Sequence, residues 1–253
     1  YLSRIIDFEE DEELVEMLRT QLLERVQKNP DKDYYNEMMI WFYLHKKEFA
    51  GAVIQAKALD KRKKMKGKRV FEIGEVCEAN ESYRNARKAY EYVIGLGQKS
   101  PYYILALEKK LKLDFLIVIN QKTYTREDMS SVVALYEGAL LDVGKNQNTL
   151  EIMMQLARIY AFYMDEPEKG IVLMHEGLEL PISEMEKARL KVLLGDIYVV
   201  SGQIWDASLM YMQVEKLFAE DVIGHEAKFK NAKGFEVFSV SLDKTADRWK
   251  AAI

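Results

Sequence analysis

Three histidines and one cysteine are the side chains of this 253-residue chain best suited to metal or nucleophilic chemistry. His45, His175 and His225 stand 130 and 50 residues apart and share no ligand spacing. A zinc site needs a tight cluster of His, Cys or carboxylate ligands, so these read as surface or packing histidines and no metal is expected. Cys77 would attack a substrate only as a thiolate. It falls inside a helical run, where a small buried packing residue is the expected role. As the lone cysteine it allows no intramolecular disulfide. No Gly-x-Gly-x-x-Gly, Walker or Gly-x-Ser-x-Gly pattern appears. The acidic run Asp7-Phe-Glu-Glu-Asp-Glu-Glu13 lacks the alternating ligands and the glycine of an EF-hand loop. Its Glu9 to Glu13 part reads as a helix start stabilised by negative charge. No catalytic residue and no cofactor are assigned, and the expectation is a protein that is not an enzyme.

The most concentrated polar feature is basic. Lys57, Lys61, Arg62, Lys63, Lys64, Lys66, Lys68 and Arg69 are opposed only by Asp60. Such a run suits docking of an acidic partner or a phosphate backbone. It equally suits a solvated turn that places positive charge at a helix C-terminus. The second reading is preferred, because no aromatic residues interleave the run to stack bases. The whole chain carries net charge −4 with a pI near 5.6, which gives no general pull toward nucleic acid or anionic membrane.

These residues need elements to hold them, and the hydrophobic spacing is helical almost throughout. Leu14, Met17, Leu18, Leu22 and Val26 form one apolar stripe, and Ile104, Leu107, Leu111, Phe115, Val118 and Ile119 form another. Pro and Gly number only 4 and 13, so breakers are few. The prolines act as punctuation. Pro30 ends the first helix, Ser100-Pro101 reads as a cap followed by Pro at the first helical position, and Pro167 and Pro181 fall between periodic segments. Ser183 with Glu186 forms a capping box, and Thr125-Arg-Glu-Asp128 caps a further helix. About twelve helices joined by short turns are expected, with sequential neighbours antiparallel. Residues 235–242 are the most β-like stretch, but a lone strand builds no sheet. The fold class is therefore all-α.

The hairpins repeat. Met39-Ile-Trp-Phe-Tyr43 precedes Phe49 and Ala52, and Ile73-Gly74-Glu-Val-Cys77 precedes Tyr83 and Ala86. Leu156-Ala157-Arg-Ile-Tyr160 precedes Gly170, and Leu194-Gly195-Asp-Ile-Tyr198 precedes Gly202, Ile204, Ala207 and Tyr211. Ala52 and Ala86 are 34 residues apart, while Ala157 and Gly195 are 38 apart. Small residues at Gly74, Ala157, Gly195, Ala52, Ala86, Gly170 and Ala207 let paired helices approach closely. Tyr160 and Tyr198 are expected to fill the wedge between them, with Cys77 in the same place earlier. One such unit cannot bury both faces, so units must stack.

In these features the chain resembles the tetratricopeptide repeat (TPR) family, and in particular large multi-repeat bacterial TPR proteins. The resemblance is best over 34–98 and 150–219. It implies a right-handed superhelical solenoid of about six antiparallel hairpins. The units run roughly over 1–30, 33–65, 67–99, 101–145, 149–181 and 183–219, with a partial unit at 221–233. Residues 234–253 are expected to form an irregular C-terminal cap or a discontinuous segment. By family phase, the first helix of each hairpin would expose groove positions Glu37, Trp41 and Leu44; Phe71, Glu75 and Glu78; Met154, Arg158 and Phe162; Val192, Asp196 and Val199. That mixture suits an extended peptide or a partner helix. It does not match the family's Lys and Asn clamp for a C-terminal carboxylate.

The resulting expectation is a non-enzymatic scaffold binding a peptide or partner helix in a concave groove. The alternative is a nucleic-acid-associated regulatory protein using the basic 57–69 patch. Partners are another protein or peptide, with self-association through the stack ends; nucleic acid and membrane insertion are not expected. The chain opens on Tyr1 and runs at once into acid, which reads as part of a longer protein. Any signal peptide would then lie upstream, so cytoplasm and bacterial periplasm both stay open.

Overall fold

The computed structural model describes Glu12 to Ser241, with side chains described as far as Lys233. Twelve α-helices and no strands occur among the described residues. They are α1 (Glu12–Lys28), α2 (Asp33–His45), α3 (Phe49–Lys63), α4 (Lys68–Ala79), α5 (Tyr83–Gly95), α6 (Tyr103–Ile119), α7 (Arg126–Val143), α8 (Leu150–Tyr163), α9 (Pro167–Leu178), α10 (Glu184–Val200), α11 (Ile204–Leu217) and α12 (Val222–Ser241). The 235–241 stretch, β-like by composition, lies in the last of these helices, which runs on past Gly234. Residues 242–253, like most of the acidic run before Glu12, lie outside the described residues.

The chain divides into two compact units between Leu113 and Asp114, inside α6. In the first, α2 packs on α3 and α4 on α5, with α3 also against α4 and α5. Met39, Ile40, Phe42, Ala52, Ala56, Ile73, Cys77, Ala86 and Tyr90 form its dry interior. Helix α1 closes against α2 through Val15 and Leu22, with Leu18 and Val26 half-buried beside them. Leu14 and Met17, expected on that stripe, are about half exposed instead. In the second unit α8 packs on α9, α10 on α11 and α11 on α12, while α10 also touches α8, α9 and α12.

Three hairpin turns share one construction. The Glu48 amide donates to Tyr43 O at 2.7 Å, Ser82 to Cys77 O at 2.8 Å, and Gln203 to Tyr198 O at 2.8 Å. The residue before each donor is left-handed: Lys47 at φ 56°, Glu81 at 58° and Gly202 at 80°. This is the Schellman closure, which satisfies the last helical carbonyls. The caps read from sequence also form. Thr125 and Asp128 build a reciprocal capping box at α7, and Ser183 and Glu186 build one at α10. Pro167 opens α9, whereas α6 starts at Tyr103, two residues after Pro101.

The glycines do what the close approach of helices requires, but with other partners than expected. A Cβ on Gly74 would meet the Tyr90 ring at 2.6 Å, and one on Gly195 would meet Tyr211 at 2.5 Å. The ring that covers each glycine thus comes from the second helix of the hairpin. Tyr160 and Tyr198, expected to fill that wedge, point back to the preceding hairpin. The Tyr160 hydroxyl donates to Glu137 on α7, and Tyr198 Oη lies 3.0 Å from His175 Nε2 on α9.

Candidate interaction sites

The twelve residues expected to line the first-helix groove separate into two sets. Glu37, Trp41, Leu44, Glu78 and Phe162 are half-buried, and Glu75 and Arg158 are exposed. Trp41 packs partly against the α1–α2 cluster and stacks on His45 at 5.2 Å. Glu37 is paired with Arg69 at 2.6 Å. In contrast, Phe71, Met154, Val192, Asp196 and Val199 are all buried, which corrects their placement on an exposed face. The cause is packing between neighbouring hairpins. Phe71 lies between the Tyr90 and Tyr102 rings, each 5.6 Å away, and α10 is covered by α8 and α12.

Two of the carboxylates have an interior task. Glu78 accepts the Tyr90 hydroxyl at 2.8 Å and pairs with Lys109 at 3.2 Å. Asp196 accepts Tyr211 at 2.7 Å and Lys230 at 2.5 Å. In each case a ring over a glycine is anchored to a carboxylate, which a lysine of a later first helix holds in turn. Burial, then the hydrogen-bonded carboxylate, raises the Tyr90 hydroxyl pKa; burial, then the Asp196 charge, raises that of Tyr211. Both hydroxyls therefore remain donors. Cys77 is also fully buried, and burial pushes its thiol up to about 11, which suits packing and not nucleophilic attack.

The basic run does not form one patch. Arg62 donates to Pro30 O and to Asn36 Oδ1, each at 2.7 Å, and Lys63 pairs with Asp33 at 3.0 Å. Arg69 bridges Glu37 and Glu72. Lys57 is half-buried over the Tyr92 ring at 5.5 Å, and loss of hydration lowers its pKa. Lys68 is exposed beside them. Lys61, Lys64 and Lys66 join Lys99 around a cleft of ≈ 420 Å³ that also touches Asp60, Tyr92, Leu96 and Ser100.

A larger cleft, of ≈ 570 Å³, opens between α7 and α9. Leu156, Tyr160 and Leu173 form its buried floor, and Leu140, Leu141 and Val172 form its walls. Leu141 is 86% exposed and Val172 59%. Glu137, Glu168, Glu176, Lys145 and Lys169 surround it. Sequence phase missed this site because it lies between second helices, whereas the family pattern directs attention to first helices.

With consecutive helices packed as hairpins in both units, the comparison with solved structures decides the fold. A thermophilic TPR protein of Thermus thermophilus superposes with a TM-score of 0.54 at 11% identity, covering 79% of this chain and 96% of that one. The fold is that of a TPR protein. Pseudomonas aeruginosa PilF gives a TM-score of 0.47 at 12% identity, covering 85% of this chain and 90% of that one. No family model and no curated protein sequence matches. Among the described residues no group of three or more His, Cys, Asp or Glu could hold a metal ion. No helix among them is long and apolar enough to cross a membrane. Within the TPR frame, the α7–α9 cleft and the lysine-lined cleft at the α3–α4 turn offer two open concavities, each built from more than one helix.

Proposed function

We propose that this TPR-fold chain is a non-enzymatic protein-interaction scaffold, and that it seats an amphipathic helix of a partner protein in the α7–α9 cleft. The observation that carries this reading is the pair of exposed aliphatic walls, Leu141 and Val172, over a buried apolar floor. The lining is mostly apolar, so the apolar side chains of a partner would leave water on entering it. A groove between two helices, apolar along its length and rimmed by charges of both signs, suits a helix with one apolar stripe and polar flanks. The accessible part of the first-helix face supports a second reading, since Trp41 is half-buried and held by its stack on His45.

A display library of helical peptides, panned on the purified chain, separates the two. Enriched peptides are expected to carry apolar residues three or four positions apart. Leu141→Glu with Val172→Glu should weaken their binding by about 2 kcal/mol, as loss of a central contact does, while Trp41→Ala leaves it unchanged. Loss in Trp41→Ala alone would move the site to the first-helix face. No enrichment above an unrelated helical protein would remove the scaffold reading.

A further inference from the structure

We propose that the cleft lined by Lys61, Lys64, Lys66 and Lys99 is a docking site for a short acidic peptide segment carrying an apolar side chain among its carboxylates. The site lies in the first unit and is independent of the α7–α9 cleft. Four lysine side chains line one cavity of ≈ 420 Å³ together with the half-exposed Leu96 side chain. Lys63 and Arg69 are taken up by ion pairs and Arg62 by hydrogen bonds, whereas these four have no such ion pair among the described residues. Opposite charge and a small apolar contact therefore define the ligand chemistry.

The turn that carries Lys64 and Lys66 is held by side-chain hydrogen bonds. Lys64 and Lys66 are both left-handed, at φ 53° and 56°, and Gly67 follows at 88°. Left-handed backbone is costly for residues with a Cβ, so it persists only where surroundings impose it. Here Asp60, 2% exposed, imposes it. One carboxylate oxygen accepts the Gly67 amide at 2.8 Å and the other accepts the Tyr92 hydroxyl at 3.0 Å. The Ser100 hydroxyl donates to Lys66 O at 2.7 Å. A side chain on Gly67 would strike Leu96 and Val93 at 3.0 and 3.1 Å. The two lysines thus project from a turn that is already ordered, which lowers the entropic cost of binding.

Peptide is favoured over nucleic acid by two observations. Tyr92 is the only aromatic residue among the described lining residues, its hydroxyl is bound by Asp60, and Lys57 sits over one face of its ring, so the cleft lacks the series of stacking platforms that single strands use. The chain as a whole carries net charge −4. A long polyphosphate meets that unfavourable field along its length, whereas a short peptide meets mainly the local lysines.

The test is fluorescence anisotropy with a labelled, end-blocked Glu-Glu-Phe-Glu-Glu-Glu peptide, run beside a single-stranded oligonucleotide of equal charge. Saturable peptide binding is expected at low salt. Lys61→Glu with Lys99→Glu should weaken it by roughly tenfold or more, because attraction becomes repulsion at two positions. Lys61→Gln with Lys99→Gln should give an intermediate loss. Lys122→Glu with Lys216→Glu, neither of which lines the cleft, should weaken it less than the Lys61 and Lys99 reversals do. Circular dichroism checks that every variant folds as the parent does. Absence of peptide binding at low salt, or binding unaffected by the Lys61 and Lys99 reversals, overturns the proposal. Tighter binding of the oligonucleotide through the same lysines overturns it in favour of nucleic acid.

Discussion

A Cβ on Gly195 would lie 2.5 Å from Tyr211 Cε1 and 2.8 Å from Cζ. The ring cannot retreat freely, because its hydroxyl is tied to Asp196 and Asp196 to Lys230. Gly195→Ala is therefore expected to destabilise the protein by about 1–3 kcal/mol, the usual cost of overpacking. Gly95 is the internal control. It ends α5 with nothing within 4 Å of its would-be Cβ and no positive φ, so Gly95→Ala should be neutral or raise stability by up to about 1 kcal/mol through the unfolded chain. Urea unfolding of both variants checks this. Equal destabilisation by the two would show that the Gly195–Tyr211 contact is not what matters.

Helices α7 and α10 start with reciprocal capping boxes, so their N-termini depend on pH. Bonds from the Thr125 backbone and hydroxyl hold the Asp128 carboxylate below its usual range. The Ser183 hydroxyl and backbone do the same for Glu186. A carboxylate depressed in the folded state adds stability above its unfolded value, and that stability is lost as pH falls through the depressed folded value. Glu186→Ala and Asp128→Ala should therefore melt below the parent at neutral pH, and the gap should close in acid below the ordinary carboxylate range. Ser183→Ala should cost about 1 kcal/mol at neutral pH, as loss of an N-cap does. Thermal melts followed by circular dichroism across the acid range measure this. A gap that stays constant in acid would contradict the capping role of the carboxylates.

Within each of the two units, helices pack mainly on their neighbours in sequence. Stability in such folds is close to a sum of local and nearest-neighbour contributions, so a local defect need not spread. Trp41 lies in the first unit and Trp205 in the second. Variants keeping one of these tryptophans, with Trp249 replaced by Phe in both, report the units separately. Gly195→Ala should lower the Trp205 transition midpoint more than the Trp41 midpoint. Identical shifts of both would show that the two units unfold as one.

What sequence alone determined was local. The helical period, the prolines at turns, the Thr125 and Ser183 caps and the small residues at Gly74 and Gly195 all act within one hairpin, and together they specify an all-α repeat fold. The 34-residue turn spacing was hidden, because Lys47 and Glu81 occupy left-handed positions that composition assigns to glycine. Only Gly202 advertised its turn. The interaction sites depended on tertiary structure. Phe71 and Glu37 hold matching positions, 34 residues apart, in their helices, yet Tyr102 and Tyr90 enclose the first while the second stays half-buried. Eight basic residues look alike in sequence, but Asp33, Asn36, Glu37 and Glu72 from nearby and distant positions claim three of them. Lys99 joins Lys61, Lys64 and Lys66 across a cleft. Exposure and charge pairing are set by which helices meet, and hydrophobic period within one helix carries no information about that.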